Sequence, residues 1–157
     1  MFSTALFLTA SMVVAQADGE ATFNSWMDFS VGGKWTTTVD GVTSEISYKR
    51  TLNGKLVQAD LINEGIHVTF IVGIDPVTKK CTFWGFDENG CVVKWVMSKV
   101  SDNVWMSEGK GMGPKGKCAL KEKLTRLDAD TVKEEIEYFI IDGQERKAVT
   151  CTWTRKQ

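Results

Sequence analysis

The 157 residues (17.5 kDa) suffice for one domain and are too few for two separate cores. A net charge of −1, with 43% hydrophobic and 25% charged residues, is ordinary for a soluble globular chain. It argues against nucleic-acid and anionic-membrane surfaces, which need a basic excess. Six tryptophans and eight phenylalanines supply the apolar area for a substantial core or a lined cavity.

The chain opens on the apolar run MFSTALFLTASMVVAQA, ending in the small-x-small triplet Ala15-Gln16-Ala17. That is the pattern of a signal peptide cleaved before Asp18, although no Lys or Arg precedes the apolar stretch. A helix packed on the domain, or a piece of a longer protein, is the alternative reading. The expectation is a signal segment over 1–17, a single domain over 18–157, and a secreted or periplasmic location. The run is too short and too interrupted by Ser and Thr for a membrane span, and none is expected in the mature chain. Next comes TFNSWMDFS, the helical candidate of the mature chain, just before Val31.

From there the chain alternates and is punctuated by two-residue turn signals: Asp40-Gly41, Asn53-Gly54, Asn89-Gly90 and Asp142-Gly143. Each suits a type I′ hairpin, whose two central residues must both accept positive φ. Longer turn clusters fall at Asn63-Glu64-Gly65, Asp75-Pro76, Ser101-Asp102-Asn103, GKGMGPKGK from Gly109, and Asp128-Ala129-Asp130. About ten strand-length runs lie between them, the spacing of an antiparallel sandwich or barrel.

The turns predict register. Asp40-Gly41 pairs Val39 with Val42 and Trp35 with Ile46, and Asn53-Gly54 pairs Tyr48 with Ala59 and Arg50 with Val57. Period two then gathers Gly33, Trp35, Ile46, Tyr48, Arg50, Val57, Ala59 and Leu61 on one face, with threonines and charges on the other. Trp35 therefore points inward. Asn89-Gly90 is expected to set Trp84 against Trp95 and Phe86 against Val93, an inner aromatic layer. Asp142-Gly143 is expected to set Val132, Glu134, Ile136 and Tyr138 opposite Trp153, Cys151, Val149 and Lys147, with Arg155 on the same face as Trp153. In GKCALKEKLTRL, placing Leu120 and Leu124 inside takes Cys118, Glu122 and Arg126 with them, although the following loop closes in two registers.

Cys81, Cys91, Cys118 and Cys151 are an even set that an exported protein could pair. No C-x-x-C occurs and there is one histidine, so structural zinc is not expected, and no metal is expected. A Cys81–Cys91 bridge fails on register, because Cys81 falls opposite Ser98. Cys118 and Cys151 share an inward face and could meet only across the interior. Otherwise the cysteines act as small buried apolar residues.

The Gly33-Lys34-Trp35 triplet on the first strand and Arg155 on the last resemble the calycin superfamily of lipocalins, fatty-acid-binding proteins and their relatives. The segments FSVGGKW, LNGKLVQ and GIDPVTKKCTFWGFDENG are similar to bacterial lipocalin-like domains of unknown function, the DUF1579 group, over nearly all of Phe29 to Arg155. The resemblance implies an all-β, up-and-down antiparallel barrel of about ten strands behind a short N-terminal helix. In it Gly33, Trp35 and Arg155 close the barrel end, the guanidinium lying on the indole.

Fatty-acid-binding relatives hold carboxylates with interior Arg and Tyr, which makes Tyr48 and Arg50 candidates for a carboxylate ligand. Arg50 is also near enough to its turn to reach the rim and stay solvated. An interior holding Arg50, Glu122, Arg126 and Glu134 would require ion pairs, internal water or a polar ligand, since unpaired buried charge is costly. His67 is the one histidine, the residue type best suited to acid–base work near neutral pH. Nitrobindin-like barrels bind haem through a histidine; a bulge at Asn63-Glu64-Gly65 would let His67 face either way, while the apolar neighbours Val68, Phe70 and Val72 favour an outward His67, and no cofactor is expected. The Gly109 run follows no strand-to-helix pattern and reads as a mobile hairpin at the barrel mouth, without a phosphate cradle.

The functional expectation is non-enzymatic binding of a small hydrophobic or amphipathic molecule inside the barrel. Trp84, Trp95 and Tyr138 would give apolar contact, and Tyr48, Arg50, Glu122 and Glu134 would fix a polar end. The alternatives are a calycin-type enzyme using Glu122 or Glu134 as acid or base, a haem barrel using His67, and a structural module with a filled barrel.

Overall fold

The computed structural model describes residues 7–141 and 143–156, with side chains from Gly19 onward. Among these described residues, one helix, α1 (Phe7–Ser30), is followed by eleven strands: β1 (Lys34–Val39), β2 (Val42–Thr51), β3 (Leu56–Asn63), β4 (Ile66–Ile74), β5 (Cys81–Asp87), β6 (Val92–Ser101), β7 (Val104–Gly113), β8 (Gly116–Arg126), β9 (Thr131–Ile141), β10 (Gln144–Arg146) and β11 (Val149–Lys156). Neighbouring strands pair antiparallel in chain order from β1 to β9. β11 lies between β9 and β1, which closes a ring of ten strands, and β10 is a three-residue extension paired to β9 alone. Closure removes the exposed sheet edges that an open sheet of this size would present.

The tight turns follow from residues that accept left-handed backbone. Asp40 and Gly41 have φ of 49° and 84°, and Glu64 and Gly65 have 50° and 80°. Val39 duly opposes Val42, Trp35 opposes Ile46, Tyr48 opposes Ala59 and Arg50 opposes Val57. Val132, Glu134 and Ile136 oppose Trp153, Cys151 and Val149, the register expected from Asp142-Gly143. Asp142 itself lies outside the described residues.

Two expectations of register are corrected. At Asn89-Gly90 the loop has three residues, because Asp87 faces Cys91. The Asp87 carboxylate accepts the Asn89 and Cys91 N–H groups at 2.9 and 2.8 Å, and Gly90 takes φ of 86°. That shifts the pairing by one residue: Trp84 opposes Lys94, Phe83 opposes Trp95, Gly85 opposes Val93 and Cys81 opposes Met97. A one-residue shift exchanges the faces, so Phe83 enters the barrel and Trp84 leaves it. The second correction concerns Tyr138. On β9 Glu137 is an extra residue facing the Lys121–Glu122 step of β8, which opposes Ile136 to Glu122 but Tyr138 to Lys121. The extra residue turns Tyr138 out, where it is 42% exposed.

The expected N-terminal helix is present over TFNSWMDFS and extends upstream of it, starting at Phe7. The expected signal segment over 1–17 falls on residues 1–6, which are outside the described set, and on the first turns of α1, where only the backbone is described. Among the described residues, no helix is long and apolar enough to cross a membrane. The C-terminal half of α1 plugs one end of the barrel with Phe23, Trp26, Met27 and Phe29, all buried. Trp26 meets Trp105 edge-on at 5.1 Å between ring centroids, and Phe29 meets Trp35 at 5.0 Å. Hydrogen bonds fix the plug's height. Thr22 Oγ1 accepts from Lys99 N, Ser25 Oγ from Trp105 Nε1, and the Ser30 carbonyl from Trp35 Nε1, all between 3.0 and 3.1 Å. At Gly19 the helix passes so near the β4–β5 loop that a Cβ would sit 2.0 Å from the Lys79 carbonyl oxygen.

The Gly109 run is part of the wall. It supplies Gly109, Gly111 and Gly113 to β7, and the turn falls at Pro114-Lys115. A Cβ on Gly111 would lie 2.1 Å from the Val92 carbonyl oxygen and 2.7 Å from Val93 Cα, so only glycine lets β6 come this near.

Candidate functional site

Three neighbouring strands place the central groups. Glu122 on β8 stands opposite Ser107 on β7, and Glu134 on β9 stands between Leu124 on β8 and Cys151 on β11. These positions alternate with outward lysines and glutamates, which brings both carboxyls inside. Glu134 Oε2 accepts hydrogen bonds from Trp153 Nε1 at 2.7 Å and Cys151 Sγ at 3.1 Å. Glu122 is 8% exposed and hydrogen-bonds to Glu134 and Ser107. Across the barrel Tyr48 faces the pair, its ring edge-on to Trp26 of the plug at 6.2 Å.

The electrostatics follow from burial without a counter-ion. Among the described residues, no ion pair joins Glu122 or Glu134 to a Lys or Arg. Burial pushes the Glu122 carboxyl well above the usual range, and the neighbouring Glu134 charge and hydrogen bond push it further. Burial, then the Glu122 and Glu134 charges, raises the Tyr48 hydroxyl. The Cys151 thiol is pushed up to about 12 by burial and the adjacent Glu134. Burial beside a second carboxyl therefore favours the protonated form of Glu122, hydrogen-bonded to Glu134.

The expected interior arginines lie elsewhere. Arg50 keeps inward register but reaches the rim, where its guanidinium pairs with Asp28 of α1 at 2.7 Å. Arg126 lies over the Phe29 ring at 4.6 Å and donates Nε–H to the Asp128 carbonyl at 3.1 Å. Trp84 is on the outer face with Lys94 Nζ 5.8 Å from its ring centroid, and Tyr138 is outside as well. Of the expected apolar contacts only Trp95 is inward, packed on Phe70 at 5.0 Å with its Nε1 buried and without a hydrogen-bond partner. His67 is on the outer face, its Nε2 3.4 Å from Asp60 Oδ1, and offers no ligand to a group inside the barrel. Ser107 and Phe83 join the interior although the sequence did not single them out. Trp153 was legible, because the same hairpin register that turned Glu134 inward turned it inward too.

Exposure varies over the inward face. Beside the plug it is closed, with Val57, Val72 and Cys81 at 0%. Ile46, Leu61, Val68, Trp95 and Trp153 are only part-buried. A separate open groove of about 360 Å³ runs past the plug on its outer side. It is lined by Asp28, Arg126, Asp130 and Arg155 among others, mixes both charges, and includes neither interior carboxyl.

Fold and site together define a closed ten-strand antiparallel barrel with an acidic interior, an architecture consistent with a calycin-like fold. Compared with known proteins, the chain matches no family and no curated protein.

Proposed function

We propose that this chain is a non-catalytic binding protein that holds a small, partly apolar molecule inside the barrel. The observation that carries the reading is the part-buried inward lining beside two carboxyls that, among the described residues, no ion pair joins to a Lys or Arg. An apolar wall with a few convergent polar groups is the usual composition of a small-molecule site. Phe70, Trp95 and Trp153 would supply apolar contact, and Tyr48, Glu122 and Glu134 the polar end. With Arg50 engaged at Asp28, a ligand amine or hydroxyl suits this polar end better than a carboxylate. We also propose export, on the Ala15-Gln16-Ala17 triplet; N-terminal sequencing of protein from its own host should begin at Asp18, and a chain beginning at Met1 would overturn this.

Fluorescence titration with N-phenyl-1-naphthylamine, an apolar amine that brightens out of water, tests binding directly. Saturable enhancement with energy transfer from tryptophan is expected, together with a reproducible non-covalent adduct in native mass spectrometry of host-purified protein. No enhancement together with a bare mass would overturn the reading and favour a filled, structural barrel. The raised Glu122 carboxyl also favours a second reading, an acid–base enzyme. Glu134→Gln separates the two, because it abolishes turnover in an enzyme and leaves a binder's affinity only modestly changed.

A further inference from the structure

Two of the four thiols meet at the end of the barrel opposite the helix. Cys91 follows the β5–β6 loop with its N–H held by the Asp87 carboxylate at 2.8 Å, and Cys118 lies in β8 at 7% exposure. Their sulfurs are 3.1 Å apart, roughly 1 Å more than the ~2.05 Å of a sulfur–sulfur bond. The strands that carry them are not neighbours, since β7 runs between. At this height β7 presents Gly111, opposite Cys118, and Gly113, so no side chain separates the two thiols. Cys81 belongs to the end that the helix plugs, and Cys151 is engaged with Glu134.

We propose that Cys91 and Cys118 form a thiol–disulfide site that staples the β5–β6 hairpin to β8 across the glycines of β7. With a small disulfide such as oxidised glutathione as oxidant, one thiolate attacks a glutathione sulfur and expels one glutathione thiolate. The second protein thiolate then attacks the mixed disulfide and expels the other. The protein loses two protons and two electrons, and the oxidant gains both as two thiols. The half-buried Cys91 is the accessible entry point, whereas burial pushes the Cys81 thiol, like that of Cys151, up to about 12 and keeps both from competing.

The test incubates the full chain with oxidised glutathione, counts thiols, and maps the linked peptides. The expected result is a fall from four thiols to two, a Cys91–Cys118 linkage, and a Tm higher by roughly 5–10 °C that reverts on reduction. Cys91→Ser and Cys118→Ser should each abolish the linkage, while the double variant Cys81→Ser, Cys151→Ser should retain it. Four persistent thiols, a stable glutathione adduct without closure, or a linkage involving Cys81 or Cys151 would overturn the proposal.

Discussion

At the scale of single residues, Glu122 carries the most informative chemistry. It sits between Ser107 and Glu134 and faces Tyr48, with no cation at hand, so protonation answers the cost of burial. The sign of the pH effect follows. The unfolded chain releases this proton near its ordinary value of 4.5, and the folded chain keeps it to higher pH. Over that window the folded state binds more protons, and stability falls as pH rises. Glu122→Gln keeps a donor and an acceptor in the same place but cannot ionise. Its Tm should therefore exceed that of the parent at pH 8 and match it near pH 4. The gain should grow steadily as the pH of the scan is raised. Thermal scans across this range check it, and a variant that loses Tm equally at every pH would contradict a raised Glu122 carboxyl.

At the scale of elements, what the sequence made legible depended on which backbone groups set each turn. Asp40-Gly41 has both residues at positive φ, so the dipeptide alone decides the register. At Asn89-Gly90 the carboxylate of Asp87, outside the dipeptide, takes two N–H groups and adds a residue to the loop. Trp84 therefore could not be placed from the turn signal alone, whereas Trp95 keeps its inward face. The β8–β9 bulge leaves no local mark either, since Glu137 suits a regular strand as well as a bulge, and Tyr138 was misplaced for that reason. The two carboxyls were legible because neither Asp142-Gly143 nor the Leu120–Leu124 alternation is disturbed near them. Two predictions belong here. Met27, at 0% exposure, fills the plug, and Met27→Ala should cost about 2–5 kcal/mol in urea unfolding. Gly111→Ala drives a methyl into the Val92 carbonyl and Val93, and backbone on both sides cannot yield as a side chain would. A loss of about 2–4 kcal/mol is expected, read as a lower urea midpoint with an unchanged slope.

At the scale of the whole molecule, the barrel is closed by contacts between residues far apart in sequence. Trp35 opposes Arg155 in the β1–β11 ladder, and the Arg155 guanidinium lies 4.6 Å over the indole while donating to the Phe29 carbonyl of the helix. Gly33 makes room for this, since a Cβ there would come within 2.8 Å of Arg155 Cγ. One side chain thus joins first strand, last strand and plug. Its ion pair with the half-exposed Asp130 adds little, because solvent screens it. The stacking contributes about 0.5–2 kcal/mol, and the charged donor to a buried carbonyl about 1.5–3. Arg155→Ala should therefore lower stability by about 2–4 kcal/mol. Arg155→Lys should recover only part, because an ammonium cannot lie flat on the ring and reach the carbonyl together. Gly33→Ala should cost less, about 1 kcal/mol, because the stem can tilt aside. Asp130→Ala should be near neutral. Urea midpoints of the four variants decide the point: a loss at Asp130→Ala equal to that at Arg155→Ala would show that the ion pair, and not the stacked guanidinium, holds the barrel's ends together.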